Sequence, residues 1–192
     1  MKNKFLILVI GESTGLECFK VLLKKKYLTI SYVISVDSKY NFIIKKLCKN
    51  YKINFISKKK FIKNNKIKFY KNKKYILLSI FSNLILKESF LKKFNGSAYN
   101  FHPAILPQYP GKNCVSGTLY NDEKTTGVSI HIITKNVDAG PILKIAKLNI
   151  NQNETLIQLM YRLKLLTINL IKNFALKLKF NKKFIKKKII LF

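Results

Sequence analysis

The sequence predicts an α/β fold in which a mostly parallel sheet is flanked by helices. Three observations predict it. Short apolar runs of strand length recur along the chain, and segments with helical spacing of apolar residues separate them. The residues best suited to chemistry follow one such run, at a strand's carboxyl end, where open α/β sheets bind ligands.

Phe5–Ile10 is a compact apolar run and reads as a buried strand. Gly11–Gly15 reads as a turn, and Leu16–Lys25 as an amphipathic helix. Thr29–Val36 is rich in β-branched residues and reads as a strand. Tyr40–Asn50 is helical in pattern, and Ile53–Ile56 makes a short strand. Residues 57–74 are dense in lysine with little apolar period, which suits a loop or a solvated helix. Tyr75–Ile80 is the next strand, Lys87–Phe94 a helix and Ala98–Phe101 a strand. Gly127–Ile133 and Ile142–Ile150 are later strands, and Leu156–Leu178 is a long helix that packs on the sheet. The strand–helix–strand rhythm is of Rossmann-like type. Residues 1–178 form the expected domain, with a basic tail over 179–192.

The stretch Asn100–Leu143 carries the chemistry. Asn100-Phe101-His102-Pro103 opens it, Ala104-Ile105-Leu106-Pro107 and Tyr109-Pro110-Gly111 follow, and Val137-Asp138-Ala139-Gly140 closes it. An amide, an imidazole and a carboxylate each sit beside backbone breakers, in a chain with only 2 histidines and 8 acidic residues. Singly, each has a structural reading: Asn100 as a turn residue, His102 as a satisfied loop histidine, Asp138 as the start of an Asx-turn. As a set they suit acyl transfer to an amine. That reaction needs a donor aimed at the oxyanion and a base, or a water held by one, for the amine proton. No Gly-x-Ser-x-Gly elbow supplies a separate nucleophile, so direct transfer from an activated donor is expected. His131 lies in the alternating run Val128/Ile130/Ile132 and is expected on the opposite face of its strand, outside the catalytic set.

On these residues the chain resembles the folate-dependent formyltransferases. The family pattern runs Asn-x-His, Leu-Leu-Pro, Gly, a Gly-Val-Thr-like strand and an Asp-x-Gly loop. Here it stands as Asn100, His102, Ile105-Leu106-Pro107, Gly111, Gly127-Val128-Ser129 and Asp138-Ala139-Gly140. The resemblance is sharp over residues 75–160 and diffuse before them. It implies 10-formyltetrahydrofolate as formyl donor and a primary amine as acceptor. Asn100 and His102 would hold and polarise the formyl oxygen, and Asp138 would act with His102, through a water, on the amine proton. Ala104, Ile105, Leu106 and Pro107 match the segment that lines the folate site, although the family usually has Ser or a similar small residue where Ala104 stands.

The acceptor stays open among three. Methionyl-tRNA is expected first, an amino sugar second and glycinamide ribonucleotide third. Against tRNA, Pro110–Cys114 departs from the Arg-Gly-Ala-Ala-Pro of the members that formylate it. Those members also add a C-terminal β-barrel where this chain has only the short tail. Against a phosphoribosyl acceptor, the Gly11–Gly15 loop puts Glu12 where phosphate would sit at a helix N-terminus. A non-catalytic RNA-binding protein on the same fold is the reading from another class.

Charge bears on the partner. Lys plus Arg number 38 against 8 acids, a formal net charge of +30. Such a surface attracts phosphate and releases its counterions, so tRNA would bind through the lysines. A coding bias toward Lys, Asn, Ile and Phe explains much of the same excess. Hydrophobic residues make up 48% of the chain, which excludes global disorder. Cys18, Cys48 and Cys114 form no CxxC pair, so neither a disulfide framework nor a zinc site is supported and no metal is expected. Phe5–Ile10 is too short for a signal sequence, and no run reaches the roughly 18 apolar residues of a membrane helix. A cytoplasmic monomer is expected, with no membrane partner.

Overall fold

The computed structural model describes residues 4–64 and 67–180. Seven strands form one sheet in the order β3-β2-β1-β4-β5-β6-β7. They are β1 (Lys4–Ile10), β2 (Leu28–Ser35), β3 (Asn54–Ser57), β4 (Tyr75–Ile80), β5 (Ala98–His102), β6 (Thr125–Ile132) and β7 (Ile142–Asn149). The pairings from β3 through β5 are parallel, and β5–β6 and β6–β7 are antiparallel. The helices are α1 (Glu12–Leu23), α2 (Asn41–Asn50), α3 (Lys58–Lys63), α4 (Glu88–Leu91), α5 (Cys114–Tyr120) and α6 (Leu156–Lys179).

β1 is the centre because its sequence has no polar face. Leu6, Leu8 and Ile10 enter the core beneath α1 and α6, while Ile7 and Val9 enter a second core on the other face. A strand covered on both faces by helices reads as a continuous apolar run, and each buried side chain of this size contributes roughly 1.5–3 kcal/mol. The second core is aromatic: Phe69 makes edge contacts with Tyr75, Phe90 and Phe94. α6 covers the first core with Leu159, Leu163, Leu170, Ile171 and Phe174, all buried at helical spacing. Its start is fixed by a capping box, in which the Thr155 hydroxyl accepts from the Gln158 N–H and Gln158 Oε1 accepts from the Thr155 N–H.

Glu154, beside that cap, is held by Arg162, the chain's one arginine, at 2.6 Å from Nη1 to Oε2. The Asn151 N–H donates to the same carboxylate oxygen at 2.8 Å. Among so many lysines, the planar guanidinium stands where a side chain must reach a buried carboxylate with fixed geometry.

Strands match the sequence expectation within one or two residues, and α6 matches within one. Three elements differ. The Gly11–Gly15 turn is absorbed into α1, with Gly11 as its N-cap and the helix running from Glu12. Gly15 lies inside the helix, where a Cβ would meet Ile10 Cβ at 2.8 Å, so close helix–strand approach rather than a turn demands glycine there. The expected helix Lys87–Phe94 is a single turn, α4, followed by a 3-10 turn over Lys92–Phe94. α5 was not expected at all. In the lysine-rich stretch, α3 is one exposed turn and a half, capped by the Ser57 hydroxyl. Past Phe180 the expected basic tail lies outside the described residues. Among the described residues, no helix is long and apolar enough to cross a membrane.

Gly127 sits in β6 where a Cβ would run into the Ala146 carbonyl of β7. Gly127→Ala should therefore destabilise the fold by about 1–3 kcal/mol, the usual cost of overpacking. The check is the urea midpoint at constant m-value; an unchanged midpoint would show that β6 and β7 separate without strain.

Candidate active site

The site is built by strand register. Residues two apart on a strand share a face, so Asn100 and His102 project from the same side of β5. β6 runs antiparallel, with His131 opposite Asn100 and Ser129 opposite His102. Four polar side chains thus share one patch, on the face away from Phe101 and Val128. His102, Ser129 and His131 are buried within it.

Asp138 closes the patch from the β6–β7 connection, in left-handed backbone with φ 49°. Asp tolerates that conformation better than most residues. Its carboxylate is the hub. Oδ1 accepts from Asn100 Nδ2 at 3.2 Å and lies 3.3 Å from His131 Nε2. Oδ2 accepts from the Gly111 N–H at 2.8 Å and lies 3.4 Å from His102 Nδ1. Burial alone would raise this carboxyl, but the His131 and His102 rings and the Gly111 N–H outweigh it and hold it at about 2.

The two imidazoles are oriented by main-chain carbonyls. His102 Nε2 lies 2.6 Å from the Tyr109 carbonyl oxygen, a distance that requires Nε2 to carry the proton and donate. Nδ1 then faces Asp138 Oδ2, so a proton arriving on Nδ1 is held by the carboxylate. Burial pushes His102 below its ordinary value; Asp138 and the Tyr109 carbonyl oppose that, and His131 adds to it. At neutral pH His102 is therefore a neutral base with a carboxylate beside it. His131 Nδ1 faces the Ile132 carbonyl at 3.0 Å, and its Nε2 lies 3.1 Å from Asn100 Nδ2. Asn100 Nδ2 thus donates to Asp138 and touches His131, and its Oδ1 is buried without a hydrogen-bond partner among the described residues.

These groups open onto a cavity of about 840 Å³, a size suited to a small-molecule ligand. Gly11 and Ser82 line it from the ends of β1 and β4, where the strand order reverses. Glu12 and Asp37 line it as well. Burial, then Asp37, raises the Glu12 carboxyl above its ordinary range. Cys114 lies on the wall; burial foremost, with the Asp138 and Glu12 carboxylates adding, pushes its thiol up to about 11. Among the described residues, no three His, Cys, Asp or Glu side chains are grouped to hold a metal ion.

The structure brings Asn100, His102 and Asp138 together. It does not put the expected folate segment on the cavity: Ala104 and Leu106 are packed in the interior, Pro107 is exposed, and Pro103 is the residue of this loop that lines the wall. In the structure Asn100 Nδ2 and His102 Nε2 each already have a protein partner, Asp138 and the Tyr109 carbonyl. Alternation along β6 places His131 on the face away from Val128 and Ile130. It does face away, and the cavity lies on that face. The signal available in the sequence was the equal spacing of polar residues in Asn100/His102 and Ser129/His131, which match once the strands are paired.

With this geometry in view, comparison with known proteins is decisive for the family. A family model described as formyl transferase matches residues 3–173. The chain belongs to the formyl transferase family. A methionyl-tRNA formyltransferase of Thermotoga neapolitana is 43% identical over 79 residues, 41% of this chain and 25% of that protein. A phosphoribosylglycinamide formyltransferase of Mycobacterium tuberculosis is 42% identical over 59 residues, 31% of this chain and 27% of that protein. The fold aligns with an N-formyltransferase of Helicobacter canadensis, solved with folinic acid and dTDP-3-aminofucose, at a TM-score of 0.74 and 21% identity, covering 99% of this chain and 69% of that one. The sequence matches thus span about a quarter of each relative's length.

The depressed Asp138 carboxyl makes stability pH-dependent. Its folded value lies below the roughly 3.9 of an unfolded chain, so its contribution is present above about pH 4 and is lost as pH falls toward about 2. His102, also lowered, favours the unfolded state once pH falls below the unfolded histidine value of about 6.5. Between pH 4 and 2 the wild type should lose on the order of 2 kcal/mol more than Asp138→Asn does. Urea titrations at stepped pH measure this, and parallel curves for the two proteins would remove Asp138 as the acid-labile hub.

Proposed function

We propose that the protein transfers a formyl group from 10-formyltetrahydrofolate to a primary amine, and that the acceptor is the methionyl amino group of initiator methionyl-tRNA. The observation that carries the chemistry is the neutral, buried His102, whose Nδ1 lies 3.4 Å from an ionised Asp138 at the wall of the cavity. The folate supplies the activated formyl carbon. The acceptor nitrogen forms the new bond to that carbon, and the bond from the carbon to folate N10 breaks. His102 Nδ1 takes the amine proton and passes it toward N10, and Asp138 stabilises the imidazolium between the two transfers. Asn100 stands over the same carboxylate. Its partnerless Oδ1 is an acceptor suited to the incoming amine, and its amide hydrogens reach a formyl oxygen once ligand displaces a contact. Pro103 and the cavity wall would hold the folate.

The acceptor rests on other features. A net charge of +30 favours a polyanion at long range. Glu12 and Asp37 on the cavity disfavour a phosphate group at the first turn of α1, which counts against glycinamide ribonucleotide. An amino sugar remains the second reading, favoured by the structural likeness to an enzyme solved with one.

A transfer assay with 10-formyltetrahydrofolate should formylate charged initiator tRNA, and His102→Ala should cut turnover roughly 100- to 10,000-fold. A loss below threefold would remove His102 from the proton path. Binding of tRNA should fall steeply as salt rises. Transfer to an amino sugar alone, with no salt dependence, would replace the tRNA reading.

A further inference from the structure

The chain after His102 does not simply leave the site. It loops out through Pro103 and returns, and the Tyr109 carbonyl then holds His102 Nε2 at 2.6 Å. What fixes this return is a side chain of the neighbouring strand. Ser129 is fully buried, and its Oγ donates to the Ala104 carbonyl at 2.7 Å and accepts from the Leu106 N–H at 3.0 Å. One hydroxyl thus satisfies two buried backbone groups on either side of Ile105. The Ile105 carbonyl in turn accepts from the Tyr109 N–H at 3.1 Å. Hydrogen bonds and the peptide units between them link Ser129, Ala104/Leu106, Ile105, Tyr109 and His102 in a path that begins and ends across one cross-strand pair, since Ser129 stands directly opposite His102.

We propose that Ser129 is a positioning residue for His102: its hydroxyl clamps the 104–106 segment so that the Tyr109 carbonyl accepts from Nε2–H and holds the imidazole with Nδ1 facing Asp138. This rests on the reading of His102 as the proton carrier. The arrangement also explains why Ala serves at position 104. The polar group that satisfies its carbonyl comes from β6 and not from its own side chain. No alternative donor is needed for a backbone group in so buried a place.

The test compares Ser129→Ala with Ser129→Thr and Ser129→Val. Thr keeps the hydroxyl, and Val has the same shape without it, so this pair carries the test if the Ala protein does not fold. The expected result for Ala and Val is a fall of about tenfold in kcat, with KM for donor and acceptor within twofold of wild type, and recovery in Thr. Two readouts do not depend on turnover. The Leu106 amide should lose its protection from hydrogen exchange in Ala and Val. The nitrogen NMR signals of the His102 ring should move from the Nε2-protonated form toward a mixture of tautomers. Wild-type kcat with an unshifted His102 ring in the Val protein would overturn the proposal. So would equal losses in Thr and Val, which would mark Ser129 as packing only. If the wild type transfers no formyl group, the functional reading falls, and the ring signals still decide whether Ser129 sets the imidazole.

Discussion

One buried carboxylate organises this site. Asp138 faces an amide, a backbone N–H and two imidazoles, and it stays ionised only because they surround it. A half-buried carboxylate without such partners would take up a proton, since desolvation penalises the charged form. The reverse dependence also holds. His102, pushed toward neutrality by burial, gains a partner for its protonated form from Asp138 alone among the described acids. The site thus stores a base and the counter-ion that will stabilise the conjugate acid. The reorganisation that water would otherwise have to make is already built in.

The sheet makes that arrangement possible where it changes direction. β5 pairs in parallel with β4 and antiparallel with β6. An antiparallel partner sets residues directly opposite one another, so the two polar positions of β5 meet the two of β6. The turn back to β7 then drops Asp138 over the same patch. On the other side, β1 and β4 pair at the reversal of strand order, and the connections leaving their carboxyl ends line the cavity beside the patch. The clustered polar side chains come from one half of the sheet, and the walls of the cavity from both.

The core strands were legible because burial on both faces leaves little room for polar side chains: Phe5–Ile10 has none, and Tyr75–Ile80 only Tyr75 and Ser79. α6 was legible through the helical period of its apolar residues. α5 was not, since Cys-Val-Ser-Gly-Thr-Leu-Tyr combines β-branched residues with an internal glycine and has weak helical preference on its own; packing against α6 overrides it. The start of α1 was misplaced for a related reason, because Gly11 and Gly15 read as a turn when one caps the helix and the other lets it approach Ile10. In the site, Asn100, His102 and Asp138 stood out by residue type and spacing. His131 and Ser129 did not, because their place depends on which strand pairs with β5 and in what register. Alternation along one strand gives the face and not the neighbour.

The overall charge and the local charge act on different scales. Exposed lysines are screened beyond about 10 Å at moderate salt, so a surplus of them shapes encounter with a polyanion more than it shapes the site. Inside the cavity the balance is closer. Asp138, Glu12 and Asp37 are three of only eight acids, gathered at one place, and Lys112 and Lys135 line the same cavity. A polyanionic partner drawn by the surface would meet Glu12 and Asp37 at the first turn of α1, where a phosphate is disfavoured and an amine is not. An amine at the end of a long polyanion suits both the surface and that end of the cavity, because its phosphates stay outside.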